Sequence, residues 1–351
     1  MGKHEQKKRQ WTIKEVALFA LPLLVPAFYF GRQLIVPQPK LTMHFQEPVG
    51  SVAVSPDGKT IAIGSNNLIL RDAKSGAIQN ILAQSGDTNS IAFSLDNKFL
   101  VTGGHGTGTN SIVAFAVWDV NAGIVVWSKT YTLGSVSAMF SPDGKTVASN
   151  YGRALGKVQL WDASNGALRY TLTDEAYKRA SMAFSPDGNY IAAQVNERKG
   201  SEGVRLWSTQ TGESTSFIRI KGMADWPFAF SPDSKSIAVT SLDGKGTQTL
   251  SLIDVGTKKD VWKWQTSAEN LSLGAVMFSP NGKLLFCDCP HLGILIFDAK
   301  TGRLLQTLKE KENHWGGGAS SLAIFPDSNF LISKDGNTAK IWDIGKFNRS
   351  N

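Results

Sequence analysis

The feature that most constrains this chain is a short strand, turn and strand segment that it writes repeatedly. The clearest copies read "SVAVSPDGKTIAIGS" from Ser51, "SAMFSPDGKTVASN" from Ser137 and "FAFSPDSKSIAVTS" from Phe228. The first turn residues of all copies, spaced 39, 47, 44, 46, 48 and 46 residues apart, are Ser55, Ser94, Ser141, Ser185, Ser231, Ser279 and Phe325. A period of this size indicates a repeat architecture in which each unit buries its apolar face against the next.

The tetrad Ser-Pro-Asp-Gly predicts a type I turn. A serine at the first position can bond the backbone, proline at the second pre-sets φ near −65°, and glycine relaxes the fourth. Apolar residues alternate with a period of two on either side, as at Ile61 and Ile63, which is typical of strands.

A third strand is predicted 15 to 23 residues after the turn aspartate or its equivalent. It ends in an aromatic or aliphatic residue followed by aspartate, most clearly at Trp118-Asp119, Trp161-Asp162 and Trp342-Asp343. A fourth apolar stretch follows, for example "ALRYTL" from Ala167. Four short strands per repeat make one blade of a β-propeller.

The period and the terminal Trp-Asp pair resemble the WD-repeat β-propeller family over roughly residues 41 to 345. The resemblance implies an all-β, seven-bladed propeller of four-stranded antiparallel blades. The family's Gly-His dipeptide before the first strand of each blade is absent here, so the buried hydrogen-bond network built on that histidine is not expected in most blades. Packing of the Trp, Phe and Ile positions between blades is expected to carry the stability instead. A propeller of another repeat family is the alternative, because the turn motif also occurs there.

The two ends of the repeat region predict how the ring closes. The last copy stops one strand short at "TAKIWDIGKFNRSN", and "KLTMHF", residues 40 to 45, stands before the first copy with strand-like alternation. Pairing residues 40 to 45 with the strand around Ile341 would complete the seventh blade and remove a free sheet edge.

The N-terminus predicts a single apolar helix in front of the propeller. Residues 1–15 form a basic head, residues 16–36 the helical segment and residues 37–351 the propeller. The uncharged run from Val16 to Phe30 would span roughly 22 Å as a helix, short of the ~30 Å hydrocarbon core. Trp11 and Tyr29 stand where the interfacial aromatic residues of a membrane anchor belong, and Arg32 after the run can extend its charge to the interface. A cleaved signal peptide and a buried helix of a soluble domain are the alternatives.

Charge placement predicts orientation and excludes one class of partner. Of the formal net charge of +8, +5 lies in residues 1–40 and +3 in the rest. More Lys and Arg residues precede the apolar run than follow it, which predicts a single-pass membrane protein with a cytoplasmic N-terminus and a non-cytoplasmic propeller. If the segment is cleaved, a secreted or periplasmic protein is expected. Because the basic excess is an end effect, no nucleic-acid partner is predicted.

Residues with catalytic or metal-binding chemistry are few. Cys287, Cys289 and His291 in "FCDCPH" could form a soft-metal cluster, but the two cysteines also fit as ordinary small strand residues. "GGHGTGTNS" from Gly103 resembles a phosphate-binding loop superficially, yet no helix can follow it between two blade strands. No Ser-His-acid set or paired carboxylates stand out, so we predict no enzyme activity, no catalytic residue, no metal and no cofactor.

The variable loops indicate a candidate partner-binding face. Loops between the second and third strands, and connectors between blades, differ among copies, and the resemblance places them on one face. Aromatic and arginine side chains commonly anchor interfaces. The residues predicted to bind a partner there are Trp226, Arg153, Tyr177, Lys178, Arg179, Arg198, His105, His314 and Trp315. The alternative is that these loops are merely solvated and that Trp315 packs locally.

Trp226 is the sharpest of these predictions. Its equivalents in the other copies are small or medium-sized: Gly50, Asn89, Val136, Ala180, Gly274 and Ser320. A large ring there is expected at the mouth of the central channel, either as a plug or as a binding anchor.

Two classes of function are compatible with this pattern. The first is a non-catalytic, membrane-tethered propeller that serves as a scaffold or receptor for a protein partner. The alternative is a propeller that binds a small molecule, or supports hydrolysis or redox chemistry, at the channel mouth. The lack of convergent acids and histidines disfavours the second class.

Overall fold

The structure is a computed structural model. It describes residues 37–82, 87–105, 112–132, 134–151, 157–172, 181–197, 201–222, 228–267, 273–289, 292–308 and 322–349. The expected N-terminal apolar helix lies outside these residues, as do the basic head and the rest of residues 1–36.

The described residues form seven four-stranded antiparallel sheets, which confirms the all-β propeller. The strands of blades 1 to 3 are β2 (Ser51–Val54), β3 (Thr60–Gly64), β4 (Leu68–Asp72), β5 (Ile78–Leu82), β6 (Asp87–Phe93), β7 (Phe99–His105), β8 (Ile112–Asp119), β9 (Ile124–Thr132), β10 (Val136–Phe140), β11 (Thr146–Tyr151), β12 (Lys157–Asp162) and β13 (Leu168–Leu172). Those of blades 4 to 6 are β14 (Met182–Phe184), β15 (Tyr190–Glu197), β16 (Ser201–Ser208), β17 (Ser214–Arg219), β18 (Ala229–Phe230), β19 (Ser236–Leu242), β20 (Gln248–Asp254), β21 (Asp260–Thr266), β22 (Val276–Phe278), β23 (Leu284–Cys289), β24 (Gly293–Asp298) and β25 (Leu304–Leu308). Blade 7 contains β26 (Leu322–Ile324), β27 (Phe330–Asp335), β28 (Thr338–Asp343) and β1 (Leu41–His44).

The strands of each blade run in order from the ring axis outward. First strands of neighbouring blades contact one another, as β2 does with β6 and β6 with β10. Fourth strands are largely exposed, and Leu168 at the start of β13 keeps 50% of its surface. The first strands therefore line the axis, while the fourth strands form the outer rim.

The apolar core lies between blades. Each of seven clusters of buried residues contains residues from two neighbouring blades. Every interface between neighbouring blades, here called a seam and numbered by its two blades, therefore has one cluster. Trp207 from blade 4 belongs to the cluster shared with blade 3, and it is 1% exposed. Such burial is worth about 25 cal/mol per Å² of apolar surface, which makes the ring a set of coupled interfaces.

The N-terminal strand completes the seventh blade. β1 pairs antiparallel with β28, and Leu41 lies opposite Ile341 while Met43 lies opposite Ala339. Met43 is 5% exposed and packs in the cluster between blades 7 and 1. The chain thus joins its first and last described strands in one sheet.

Candidate functional site

The ring has two chemically different faces. Turns between first and second strands, and between third and fourth strands, open on one side, here called the turn face. Connections between second and third strands, and between blades, open on the other side, here called the loop face. Every internal segment outside the described residues falls in a loop-face connection, whereas all turn-face connections are described.

Each Ser-Pro-Asp-Gly turn on the turn face is held by a local bonding network. In blade 1 the Ser55 hydroxyl donates to Asp57 Oδ1 at 2.6 Å and accepts the Thr60 N–H at 2.9 Å. Asp57 Oδ1 also accepts the Lys59 N–H at 3.0 Å. The hydrogen bond from Ser55, opposed by desolvation, lowers the pKa of Asp57. The aspartate therefore has an active bonding role in the turn, which the sequence analysis did not assign to it.

The fourth turn residue links neighbouring blades wherever it is not glycine. Asn97, Ser234 and Ser328 adopt left-handed φ values of 63°, 62° and 58°. Asn97 Oδ1 accepts the Asp57 N–H at 3.0 Å, and Ser234 Oγ accepts the Asp187 N–H at 3.0 Å. Since non-glycine residues rarely adopt this conformation, the bond to the preceding blade compensates for local strain.

The tryptophans of the Trp-Asp pairs are buried and hydrogen-bonded. Their indole N–H groups donate to a hydroxyl on the neighbouring second strand: Trp118 to Thr102 at 3.0 Å, Trp161 to Ser149 at 2.9 Å and Trp342 to Ser333 at 2.9 Å. The described part of these blades therefore satisfies the indole without a Gly-His histidine, and buried polar groups normally require such a partner.

At three seams an aromatic residue of a fourth strand hydrogen-bonds to the next blade and packs on one of its turn glycines, a contact here called the clasp. Trp127 Nε1 donates to the Ala163 carbonyl at 2.8 Å, and Trp262 Nε1 donates to the Ala299 carbonyl at 2.9 Å. Tyr170 makes the corresponding contact, its hydroxyl lying 2.5 Å from the Gln210 carbonyl oxygen. Each ring lies close to a turn glycine of the next blade. A Cβ added to that glycine would stand 2.8 Å from Trp127 at Gly166, 2.8 Å from Tyr170 at Gly212 and 2.6 Å from Trp262 at Gly302.

The residues predicted to bind a partner fall mainly outside the described structure. Those that lie outside it are Trp226, Arg153, Tyr177, Lys178, Arg179, Arg198, His314 and Trp315. His105 is the last residue of β7, at the loop-face end of blade 2 rather than within the loop. The described residues therefore do not test whether these side chains lie together, and the predicted site stays a prediction.

Equivalents of Trp226 that the structure describes are closely packed. Val136 is 0% exposed, and a Cβ on Gly50 would stand 2.0 Å from the Thr88 carbonyl oxygen of the next blade.

Two tyrosines stack at the loop-face end of seam 2/3: Tyr151, which the sequence places on the loop face, and Tyr131, which sequence reasoning did not single out. Tyr131 stacks on Tyr151 at 4.3 Å between ring centroids, and its hydroxyl contacts Gln159 at 3.2 Å. Burial raises the pKa of Tyr131. Tyr151 ends β11, two residues before Arg153 in the sequence, so the stack stands where one of the predicted loops begins.

The cysteine pair lies in the apolar layer of seam 5/6. Cys287 and Cys289 form no disulfide, are 0% exposed and belong to one core cluster. Burial raises the pKa of the Cys287 thiol well above its usual value, which disfavours the thiolate that metals bind. Among the described residues, which exclude His291, no group of three His, Cys, Asp or Glu side chains could hold a metal ion.

Two comparisons with known proteins bear on the family of this chain. The family model "WD domain, G-beta repeat" matches residues 302–343, from blade 6 to the Trp342-Asp343 pair of blade 7. "WD repeat-containing protein 1" of Gallus gallus is 27% identical over 60% of this chain and 33% of that protein. The family model, the chicken relative and the seven-bladed ring together support a WD-repeat β-propeller.

Other matches to this WD-repeat propeller cover parts of larger proteins. The family model "Eukaryotic translation initiation factor eIF2A" matches residues 51–223, which begin at β2 and end after blade 4. "Autophagy-related protein 16" of Arabidopsis thaliana is 24% identical over 81% of this chain and 53% of that protein. The WD-repeat chain thus spans about half of the plant relative and a third of the chicken relative.

A solved structure shares the fold of this WD-repeat propeller at low sequence identity. "Kuenenia stuttgartiensis Hydrazine Synthase" superposes with a TM-score of 0.68 over 90% of this chain and 98% of that chain, at 16% identity. At that identity the likeness concerns the fold alone.

The described residues include no helix with the length and apolar character needed to span a bilayer.

Proposed function

We propose that this WD-repeat propeller is a non-catalytic scaffold or receptor that binds a protein partner through its loop face. The supporting observation is that the two faces of the ring differ in structure. Seven packed seams and short bonded turns make the ring rigid, while the connections that vary in length and sequence all open on the loop face. Variable loops on a rigid ring are the usual arrangement for recognition.

The proposal includes attachment to a membrane. Residues 16–36 would serve as a single-pass anchor, with residues 1–15 in the cytoplasm and the propeller on the other side. The basic head and the interfacial aromatics support this orientation. Removal of the same segment as a signal peptide is the alternative, and it would release the propeller on the same side of the membrane.

Protease accessibility tests the topology. Protease added to intact cells or spheroplasts is expected to digest the propeller while the N-terminal head stays protected. Complete protection of the propeller, with digestion only after the membrane is permeabilised, would contradict the orientation.

Loop-face variants of the full-length chain test partner binding. Crosslinking in cells identifies proteins captured by the wild type, and Trp226→Ala with Arg153→Ala is expected to lose most of that capture at an unchanged unfolding midpoint. Truncation of a buried aromatic anchor typically costs ~2 kcal/mol of binding or more. Lys235→Ala on the turn face is the matched control and should retain capture. If Trp226→Ala instead unfolds the ring while the folded fraction binds normally, Trp226 is a packing residue.

A further inference from the structure

The strongest unassigned feature is a groove on the turn face between blades 7 and 1. It has a volume of about 460 Å³, and a corresponding groove of about 710 Å³ lies between blades 3 and 4. Equivalent positions line both, so their differences are direct substitutions.

The 3/4 groove is polar. Ser141 and Thr146 of blade 3 face Thr209 and Gln210 of blade 4 across it. Its arginine, Arg169, is already engaged, since it forms an ion pair with Asp162 and lies 3.3 Å from the Thr146 hydroxyl. The groups in this groove largely bond to one another.

The 7/1 groove carries apolar residues at the same positions. Phe325 replaces the turn serine, Phe330 stands in place of Thr146, Leu41 in place of Tyr170 and Ala73 in place of Thr209. Phe325 and Ile341 are almost fully buried, at 7% and 4% exposed. Leu41, Ala73 and Phe330 are only partly buried, so apolar surface remains open in the groove.

Two exposed lysines stand at the rim of the 7/1 groove. Lys40 Nζ lies over the Phe330 ring at 4.3 Å from its centroid, and Lys74 occupies the position of Gln210. Within the part of the chain that the structure describes, neither ammonium group forms an ion pair. Asp327 is the acidic residue of the lining, which leaves the groove with a net positive charge.

We propose that the 7/1 groove binds an extended segment of a protein partner in which a bulky apolar side chain is flanked by acidic residues. The apolar side chain would occupy the space between Leu41, Ala73 and Phe330, and the flanking carboxylates would pair with Lys40 and Lys74. Apolar burial supplies affinity, while the charge pairs select acidic partners and speed association. This site is on the opposite face from the proposed loop-face interface and is independent of it.

Peptide selection against the full-length chain tests the proposal. Random dodecapeptides displayed on phage are selected on the immobilised protein, then synthesised with a fluorescent label and titrated by anisotropy. We expect enriched sequences with Leu, Ile or Phe next to Asp or Glu, and binding that weakens with added salt. The double variant Lys40→Glu/Lys74→Glu should weaken binding about tenfold or more, because it reverses both rim charges.

A matched control separates local from general charge effects. Lys300 is the blade 6 equivalent of Lys74 and follows Ala299 as Lys74 follows Ala73, but its groove has Ser231 and Ser236 at the positions of the two phenylalanines. Lys300→Glu should therefore leave peptide affinity unchanged, as should the loop-face variant Trp226→Ala. Thermal melting of each variant verifies that the ring is folded.

Two results would overturn the proposal. One is a selection that yields no acidic and apolar sequences, or only basic or uncharged ones. The other is peptides of the expected type that bind Lys40→Glu/Lys74→Glu as tightly as the wild type. Loss of peptide binding in Trp226→Ala would assign those peptides to the loop face, and would likewise reject the groove.

Discussion

Seams 5/6 and 7/1 join neighbouring blades through equivalent outer-strand positions but with different chemistry. At seam 5/6 the Trp262 ring lies on Gly302, and its indole N–H bonds the Ala299 carbonyl. At seam 7/1 Leu41 lies 3.2 Å from the Cβ position of Gly76. The fourth strand of blade 5 thus contacts the next blade through a directional bond and a ring, whereas β1, the fourth strand of blade 7, does so through an apolar side chain and is held in its own blade by pairing with β28.

Seam 4/5 is a third case, in which the turn position is occupied by a lysine instead of glycine. The outer-strand position there is Ser216, and the turn position of the next blade is Lys258, with φ 60°. Where the preceding blade offers a serine instead of a ring, a side chain is tolerated. The glycines at seams 2/3, 3/4 and 5/6 each face an aromatic ring, whereas Gly76 and Gly123 at the same turn position face non-aromatic side chains.

Deletion of residues 40–45 should have the largest effect on the ring. It removes the buried Met43 and the partly buried Leu41 from seam 7/1 and leaves β28 without its partner strand; a fully buried side chain of this size contributes about 2–5 kcal/mol. The total approaches the whole stability of an ordinary domain. The melting temperature should fall sharply, whereas deletion of residues 1–36 should leave it nearly unchanged. Equal tolerance of both deletions would show that β1 is not needed for closure.

Gly302→Ala should have the next largest effect, and Gly144→Ala is its matched control. The φ values are nearly equal, 70° and 71°, but an alanine Cβ would stand 2.6 Å from Trp262 at Gly302, with nothing within 4 Å at Gly144. We expect about 1–2 kcal/mol for the shared backbone strain and about 1–3 kcal/mol more for Gly302→Ala. Chemical denaturation of both variants gives the difference, and equal losses would reject the clasp.

Introducing a tryptophan and a glycine at the equivalent positions of seam 4/5 tests whether the two residues act together. Ser216→Trp alone should destabilise the protein, because the ring meets the Lys258 side chain, and Lys258→Gly alone should change little. Combined, they should couple favourably by about 1 kcal/mol in a double-mutant cycle. Additive effects would mean that the ring and the glycine at the natural seams act separately.

Acid sensitivity of Asp162 should be the smallest effect. Hydrogen bonding from Ser164 and from Arg169 lowers the pKa of Asp162 to about 2. Because the unfolded value is about 3.9, the stabilisation is full above pH ~4 and is lost as pH falls toward 2. Asp162→Asn should flatten this part of the stability profile in denaturation series across pH 2 to 5. An unchanged acid slope in the variant would assign the sensitivity to other carboxylates.

Local chemistry made the fold predictable from sequence. Ser55, Asp57 and Gly58 encode their turn almost alone, and the Trp161-Asp162 pair marks the end of a strand, so counting repeats yields the blades. The missing strand after Ile341 likewise points to residues 40–45, since an unpaired sheet edge is unfavourable.

Contacts between repeats were not predictable in the same way. The pairs that form the clasps, such as Trp127 with Gly166, are about 40 residues apart, and their separation changes with the length of the intervening connection. An aromatic residue on a fourth strand does not indicate such a contact until the residue beside it in the next blade is known. The same holds for the 7/1 groove, where Phe325 reads as a weak turn copy until Lys40 and Leu41 from the other end of the chain lie beside it.

The pairing of β1 with β28 also sets a timetable for biosynthesis. Leu41 and Ile341 are 300 residues apart, so the ribosome makes the first strand long before its partner. At about 5–20 residues per second, the gap lasts roughly 15–60 s. During that interval β1 is a nascent strand without its sheet, and its alternation of apolar Leu41 and Met43 with polar Thr42 and His44 limits how strongly it can associate with other chains.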